Sequence, residues 1–277
     1  MVSQTLRALS TDQIAGYERD GFVIVRGLLN IDEVEQIREA FMAQAAGGPV
    51  EGLSETKRIT NPDDPLYRYP RMMQPHHKPQ FEPAHSTAKR YLLDPRIHDV
   101  LFDLFGEQPI ACQSMFYFKP PGSRGQDLHQ DNFYLRVKPF SCMAAWMAID
   151  DADEANGGLV VVPGTHGLDV QCPRASDRTT FFTGDRVDPP AGTHEVHANM
   201  TAGDVLFFNG SLIHGSYPNE SADRFRRALI CHYAPWSARE IAQSYPLYDF
   251  KGNSLTREPA TGGGPCGETA DAPSGTY

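Results

Sequence analysis

LHQDNFYLRV, residues 128–137, reads as a β-type run in which His129 stands two positions before Asp131. On an extended chain positions i and i+2 share a face, so this imidazole and carboxylate can converge on one metal ion. GDVLFFNGSLIHGSYPN, residues 203–219, supplies His214, 85 positions further on, in another apolar run. Two histidines and a carboxylate on one side of a metal leave its other positions open, which is the donor set of non-haem iron(II) oxygenases. The spacing alone also fits zinc, or ordinary polar residues at strand ends, because the chain holds ten histidines. Arg226 narrows the choice. It follows His214 by 12 residues, with Pro218-Asn219 and Ser221-Ala222-Asp223 as turn material between them. Two strands joined by such a turn bring His214 and an inward Arg226 into one pocket. There a guanidinium can grip a carboxylate bidentately, which suits the distal end of 2-oxoglutarate. Most arginines form surface salt bridges instead, but this one runs on into the apolar Ala228-Leu229-Ile230.

Around these runs lie others of the same kind, at 110–119, 141–149, 158–162, 204–208, 211–216 and 228–233. Turn signals separate them, among them Pro120-Pro121-Gly122, Asn156-Gly157-Gly158 and Pro163-Gly164. Many short strands with Gly- and Pro-rich turns predict a sandwich or jelly roll, with core strands over about 108–236. Ahead of them, Thr11 can cap a helix through Arg19, Phe22-Val23-Ile24-Val25 is β-rich, and Asn30 or Asp32 can cap a second helix. A third helix is expected over about 94–105. The proline-rich stretch 50–90 lacks periodicity and is expected to be a lid-like loop. Residues 1–253 then form one domain, and the Gly- and Pro-rich residues 254–277 a flexible tail.

Bulk properties exclude several functions. The net charge of −10 argues against a nucleic-acid surface. No run of about 18 apolar residues suggests a membrane span. MVSQTLRALSTDQ lacks the basic and apolar regions of a secretory signal, so a cytoplasmic location is expected. Five scattered cysteines without a CxxC pair suggest reduced, structural thiols.

Several ordered blocks resemble the phytanoyl-CoA dioxygenase family: YERDGFVIVRGLL (17–29), QSMFYFKPPG (113–122), LHQDNFYLRV, NGGLVVVPGTH (156–166) and FRRALICHY (225–233), with GDVLFFNGSLIHGSYPN. The resemblance covers about 12–234. It implies a mainly β fold with flanking helices, in which N-terminal helices pack outside a double-stranded β-helix (a cupin-like jelly roll). It implies that His129, Asp131 and His214 bind iron(II) and that Arg226 holds 2-oxoglutarate. From strand positions, Gln113, Tyr117 and Trp146 would reach the co-substrate. With O2, such an enzyme oxidises a small-molecule substrate and releases succinate and carbon dioxide. Halogenating relatives carry a small residue in place of Asp131, so its presence points to hydroxylation or a related oxidation.

Substrate contacts are expected from the 50–90 stretch, at Met72, Met73 and His76, and from Phe133 or Tyr134 after the H-x-D pair. His166 is expected to order a turn, and His194, His197 and His232 to be surface or structural residues. Three rivals share the three donors: a cupin-type metal enzyme with no use for Arg226, a catalytically silent binding protein, and a zinc hydrolase. Substrate identity and oligomeric state are not legible.

Overall fold

Ser10 accepts a hydrogen bond from the Gln13 backbone while the Gln13 side chain returns to Ser10, and this capping box starts α1 (Thr11–Asp20). Gly21, at φ 83°, ends the helix where a side chain would collide with His166. The computed structural model describes residues 7–59, 61–139 and 141–260. β1 (Phe22–Val25) follows, then α2 (Ile31–Gln44), opened by a second capping box between Asn30 and Glu33. α3 (Pro65–Arg68), β2 (Met72–Met73), a short 3₁₀ turn at Pro75–His77 and α4 (Ala84–Leu92) lead to α5 (Pro95–Phe105). Asp94 caps α5, Pro95 takes its first position, and Gly106 stops it in a left-handed conformation.

The strand-rich half contains β3 (Pro109–Tyr117), β4 (Gln126–His129), α6 (Asn132–Leu135), β5 (Met143–Ala148) and β6 (Leu159–Val161). Next come β7 (Arg174–Ala175), β8 (Asp185–Arg186), β9 (Val196–His197), β10 (Val205–Asn209), β11 (His214–Ser216) and β12 (Ala228–Pro235). β13 (Glu240–Ile241), β14 (Leu247–Tyr248), β15 (Ser254–Leu255) and β16 (Glu258–Pro259) complete the order. The larger sheet runs β1-β10-β5-β12-β3-β14-β15, with β2 added on β3, and the smaller runs β4-β11-β6-β9. This is the jelly roll that the strand pattern predicts.

Side chains alternate between two environments along each central strand. Met143, Ala145 and Met147 of β5, with Leu229, Cys231 and Tyr233 of β12, pack outward against the helices beside Val34, Ile37 and Phe41 of α2. Their neighbours Ala144, Trp146, Ile230 and Ala228 point between the sheets, where they meet Leu159 and Val161 of β6. The outer layer thus keeps the large sheet dry on one face, and its other face is left to build a cavity. Phe41 and Phe116 stack with ring centroids 4.0 Å apart and join α2 to β3.

The structure corrects four expectations. The strand read over 128–137 stops at His129: Asp131 lies in the right-handed helical region, at the head of α6. Asn132 anchors that turn, donating its N–H to Gly210 and accepting from Val137 with its side chain. Residues 50–90, expected as a lid-like loop, contain α3, β2 and most of α4. Their prolines start α3 and the 3₁₀ turn, where no N–H is needed. Residues 254–260 are tied down: β15 pairs with β14, β16 with β13, and Arg257 donates to the carbonyls of Trp236 and Ala238. Residues 261–277 lie outside the described part. Finally, Cys112, Cys142 and Cys231 are free, buried thiols, but Cys172 is disulfide-bonded; Cys266 lies outside the described residues.

Phe41→Ala empties the junction between helix layer and sheet without touching the cavity. It should destabilise the protein by about 3–5 kcal/mol in denaturant unfolding while leaving metal affinity unchanged in the folded fraction.

Candidate active site

His129 ends β4, His214 begins β11, and the two are direct cross-strand partners with ring centroids 4.2 Å apart. Asp131 reaches them from α6. Its Oδ1 lies 3.4 Å from His129 Nε2 and its Oδ2 3.5 Å from His214 Nε2. All three residues are buried, and their donor atoms lie within 4.8 Å of one another. The convergence therefore comes from strand pairing plus a helical turn, not from two residues on one face of a strand.

The protonation pattern suits a metal. His129 Nδ1 lies 2.8 Å from the Asp127 carbonyl and His214 Nδ1 2.9 Å from that of Leu212. A carbonyl can only accept, so each Nδ1 carries a proton, and in the neutral ring that leaves the Nε2 lone pair on the side of Asp131. Burial, which outweighs the opposing Asp131 charge, drives the pKa of His214 down to about 4, so this ring is neutral at pH 7. Burial alone would raise the pKa of Asp131. At the low pH where Asp131 would titrate, cationic His214 and His232 and hydrogen bonds from His129 and His232 outweigh that effect. They hold the carboxyl well below its usual range. Neutral imidazoles and an ionised carboxylate are the forms a metal ion requires. The residues present thus fit iron(II). The Gln126 amide lies 2.9 Å from His129 Nε2, the atom that would bind the metal.

Buried neighbours brace this trio. His232, on the inner face of β12, donates from Nε2 to Asp131 Oδ2 at 2.9 Å. Asp127, whose carbonyl orients His129, has a buried carboxylate that accepts from Ser176, from the Leu128 N–H and from Arg186 of β8. Neither role is legible in the sequence. His232 looks like any histidine in an apolar strand, although its even spacing from Ile230 and Ala228 marks the inward face.

The three donors open into a cavity between the sheets. Arg226 lines it, 3 % exposed, with Nε donating to the Gly157 carbonyl at 3.1 Å. Its guanidinium sits 5.4 Å from the centre of the Trp146 ring. Burial pulls its pKa down to about 10, so it remains a cation, and among the described residues no carboxylate pairs with it. Gln113 and Tyr117 also line the cavity, and the Tyr117 hydroxyl links Arg71 at 2.5 Å to Gln126 at 3.1 Å.

Of the substrate residues expected from the sequence, Met73 lines the cavity. Met72, its neighbour on β2, faces the outer core instead, as strand alternation requires. His76 is buried behind β3, with Nδ1 2.7 Å from Ser114 Oγ, and does not line the cavity. In the helical turn after Asp131, Tyr134 faces the cavity and Phe133 does not. His77 is exposed and bonds to the Tyr248 hydroxyl.

A jelly roll holding a buried His-Asp-His trio carries the donor set of the non-haem iron oxygenases. The chain belongs to the phytanoyl-CoA dioxygenase (PhyH) family, whose model matches residues 17–228. The peroxisomal phytanoyl-CoA dioxygenase of Bos taurus is 30% identical over 236 residues, covering 82% of this chain and 68% of that protein. A probable phytanoyl-CoA dioxygenase of Caenorhabditis elegans is 30% identical over 240 residues, covering 82% and 75%. Among solved structures, the alpha-ketoglutarate-dependent carbocyclase SnoK of nogalamycin biosynthesis superposes with a TM-score of 0.64 at 22% identity, covering 84% of this chain and 88% of that one. EctD of S. alaskensis, crystallised with 2-oxoglutarate and 5-hydroxyectoine, gives a TM-score of 0.66 at 20% identity, covering 93% and 87%. These likenesses establish the fold. No helix among the described residues is long and apolar enough to cross a membrane.

His232→Ala removes the hydrogen bond that aims Asp131. Anaerobic calorimetry with iron(II) should show affinity reduced about 10–100-fold, whereas Asp131→Ala should lose measurable binding.

Proposed function

We propose that this protein hydroxylates a small organic molecule, consuming 2-oxoglutarate and O2 and releasing succinate and carbon dioxide. In this reading His129, Asp131 and His214 hold iron(II), and Arg226 grips the distal carboxylate of the co-substrate. The observation that carries it is Arg226: a fully buried guanidinium in the same cavity as the three donors, without a carboxylate of its own among the described residues. An unpaired buried cation is costly, and an anionic ligand relieves that cost. Iron, when bound, supplies the activation of dioxygen and the oxidative decarboxylation of the 2-oxo acid.

The chain's own part is to bind, orient and exclude water. Trp146 covers one face of the Arg226 guanidinium, which limits where a carboxylate can approach it. Gln113 and Tyr117 stand where they can meet the co-substrate. Met73, Met115, Tyr134, Leu159 and Ile230 give the remaining wall an apolar and aromatic surface for the substrate. The small ligands named with SnoN (nogalamycin RO) and EctD (5-hydroxyectoine) support a small-molecule substrate.

Iron(II) and then 2-oxoglutarate, added anaerobically to the metal-free protein, should produce a weak visible charge-transfer band that requires both. Iron binding without a band would refute the 2-oxoglutarate assignment. Arg226→Met should keep iron affinity but raise the 2-oxoglutarate concentration for half-maximal band at least about tenfold, the loss expected when one partner of a buried charge pair is removed.

A further inference from the structure

Among the described residues lining the cavity, three are arginines and only Asp131 is a carboxylate. Asp131 belongs to the metal-binding trio and Arg226 to the co-substrate. Arg58 and Arg71 have no part in either. They stand on the other flank of β3 from Arg226: β12 runs along one edge of β3, with Ala228 opposite Tyr117, and β2 along the other, with Met72 opposite Phe116. Arg71 is the residue just before β2.

Backbone pairing builds this flank. The Glu55 N–H donates to the Arg71 carbonyl and the Met73 N–H to that of Leu53, each at 2.9 Å, so the 53–55 segment lies against β2. Glu55 then meets both arginines. Arg71 Nε donates to its Oε2 at 2.5 Å, and Arg58 Nε lies 3.3 Å from its Oε1. Arg71 is also held by the Tyr117 hydroxyl, and its guanidinium sits 5.5 Å from the ring centres of both Tyr117 and Phe182. Burial would raise the Glu55 pKa, but Arg71, with Arg58 and Lys57, lowers it, so Glu55 is ionised. Two guanidiniums and one carboxylate leave these three side chains with one positive charge at the cavity wall. Arg71 is 8 % exposed and already oriented, which lowers the cost of binding an anion. A carboxylate carries the matching single charge and the two oxygens that guanidiniums recognise. Beside it, Met73 and Met115, paired across β2 and β3, give the same wall an apolar surface.

We propose that the substrate is a small organic acid whose carboxylate docks against Arg58 and Arg71, with its apolar body along Met73 and Met115. The two arginines are then specificity-determining residues, separate from the co-substrate anchor. This rests on the reading of Arg226 given above, which assigns the third cation of the cavity to 2-oxoglutarate.

The test uses matched pairs of a carboxylic acid and its primary amide: hexanoate and hexanamide, phenylacetate and phenylacetamide, cinnamate and cinnamamide. Each is titrated anaerobically into protein saturated with iron(II) and 2-oxoglutarate, and the shift of the charge-transfer band is read. Acids should shift the band at concentrations at least about tenfold below their amides, the worth of one charge-assisted contact. Arg58→Gln should remove that preference and leave the 2-oxoglutarate concentration for half-maximal band unchanged, and Arg58→Lys should restore the preference in part. The comparison in wild type needs no variant to fold. Amides matching acids, no acid shifting the band, acids acting only by displacing 2-oxoglutarate, or a preference that survives Arg58→Gln would overturn the proposal and leave Arg58 and Arg71 as an ion cluster that holds the 53–55 segment. Absence of any band with iron(II) and 2-oxoglutarate alone would be a different failure, that of the reading of Arg226, and would take this proposal with it.

Discussion

Two hydrogen bonds from imidazole Nδ1 to backbone carbonyls, at Asp127 and Leu212, set the protonation of the whole site. They fix which nitrogen faces inward, and they tie ring orientation to the pairing of β4 with β11. The register that places His214 opposite His129 is therefore also the register that assembles the metal-binding donors. A slip of one residue would turn both rings away from Asp131. The rest of the fold can be seen as insurance for that register.

The insurance is expensive in polar groups. Asp131, His232, Lys119 and Arg226 are all buried between or beside the sheets. Each is tolerated because neighbours supply hydrogen bonds, or because a ligand completes the set. Against that cost stands the outer core, where α2, α4 and α5 cover the larger sheet with Ile37, Phe41, Tyr91 and Leu101. Stability and chemistry are thus separated by strand alternation: odd positions of β5 and β12 from Met143 to Tyr233 face the helices, and the even positions Trp146, Ile230 and His232 line the cavity.

Much of this architecture was legible in the sequence, because short apolar runs, Gly-Pro turns and helix caps are local signals. The three donors and Arg226 were legible through spacing and family resemblance. What remained hidden depended on tertiary context. Asp131 sits on a helical turn because Asn132 finds Gly210, 78 positions away. His232 gains its meaning only from a partner across the barrel, Asp131. Met72 and Met73 are neighbours with opposite fates, and no composition rule tells which one faces inward without the pairing of β2 to β3. Ser254 to Pro259 is poor in apolar residues, yet backbone pairing and Arg257 hold that stretch in place.

The free cysteines give the fold a further property. Cys112, Cys142 and Cys231 are buried, and burial raises all three thiol pKa values, that of Cys231 to about 12. They persist as neutral thiols, a form that reacts slowly with oxidants. None of them lines the cavity, where Met73, Met115, Tyr134 and Trp146 do. Stray oxidising equivalents released when dioxygen is activated without substrate would meet thioether and aromatic surfaces first. The fold thus keeps its free thiols in the packed clusters and leaves thioether and aromatic groups at the cavity wall.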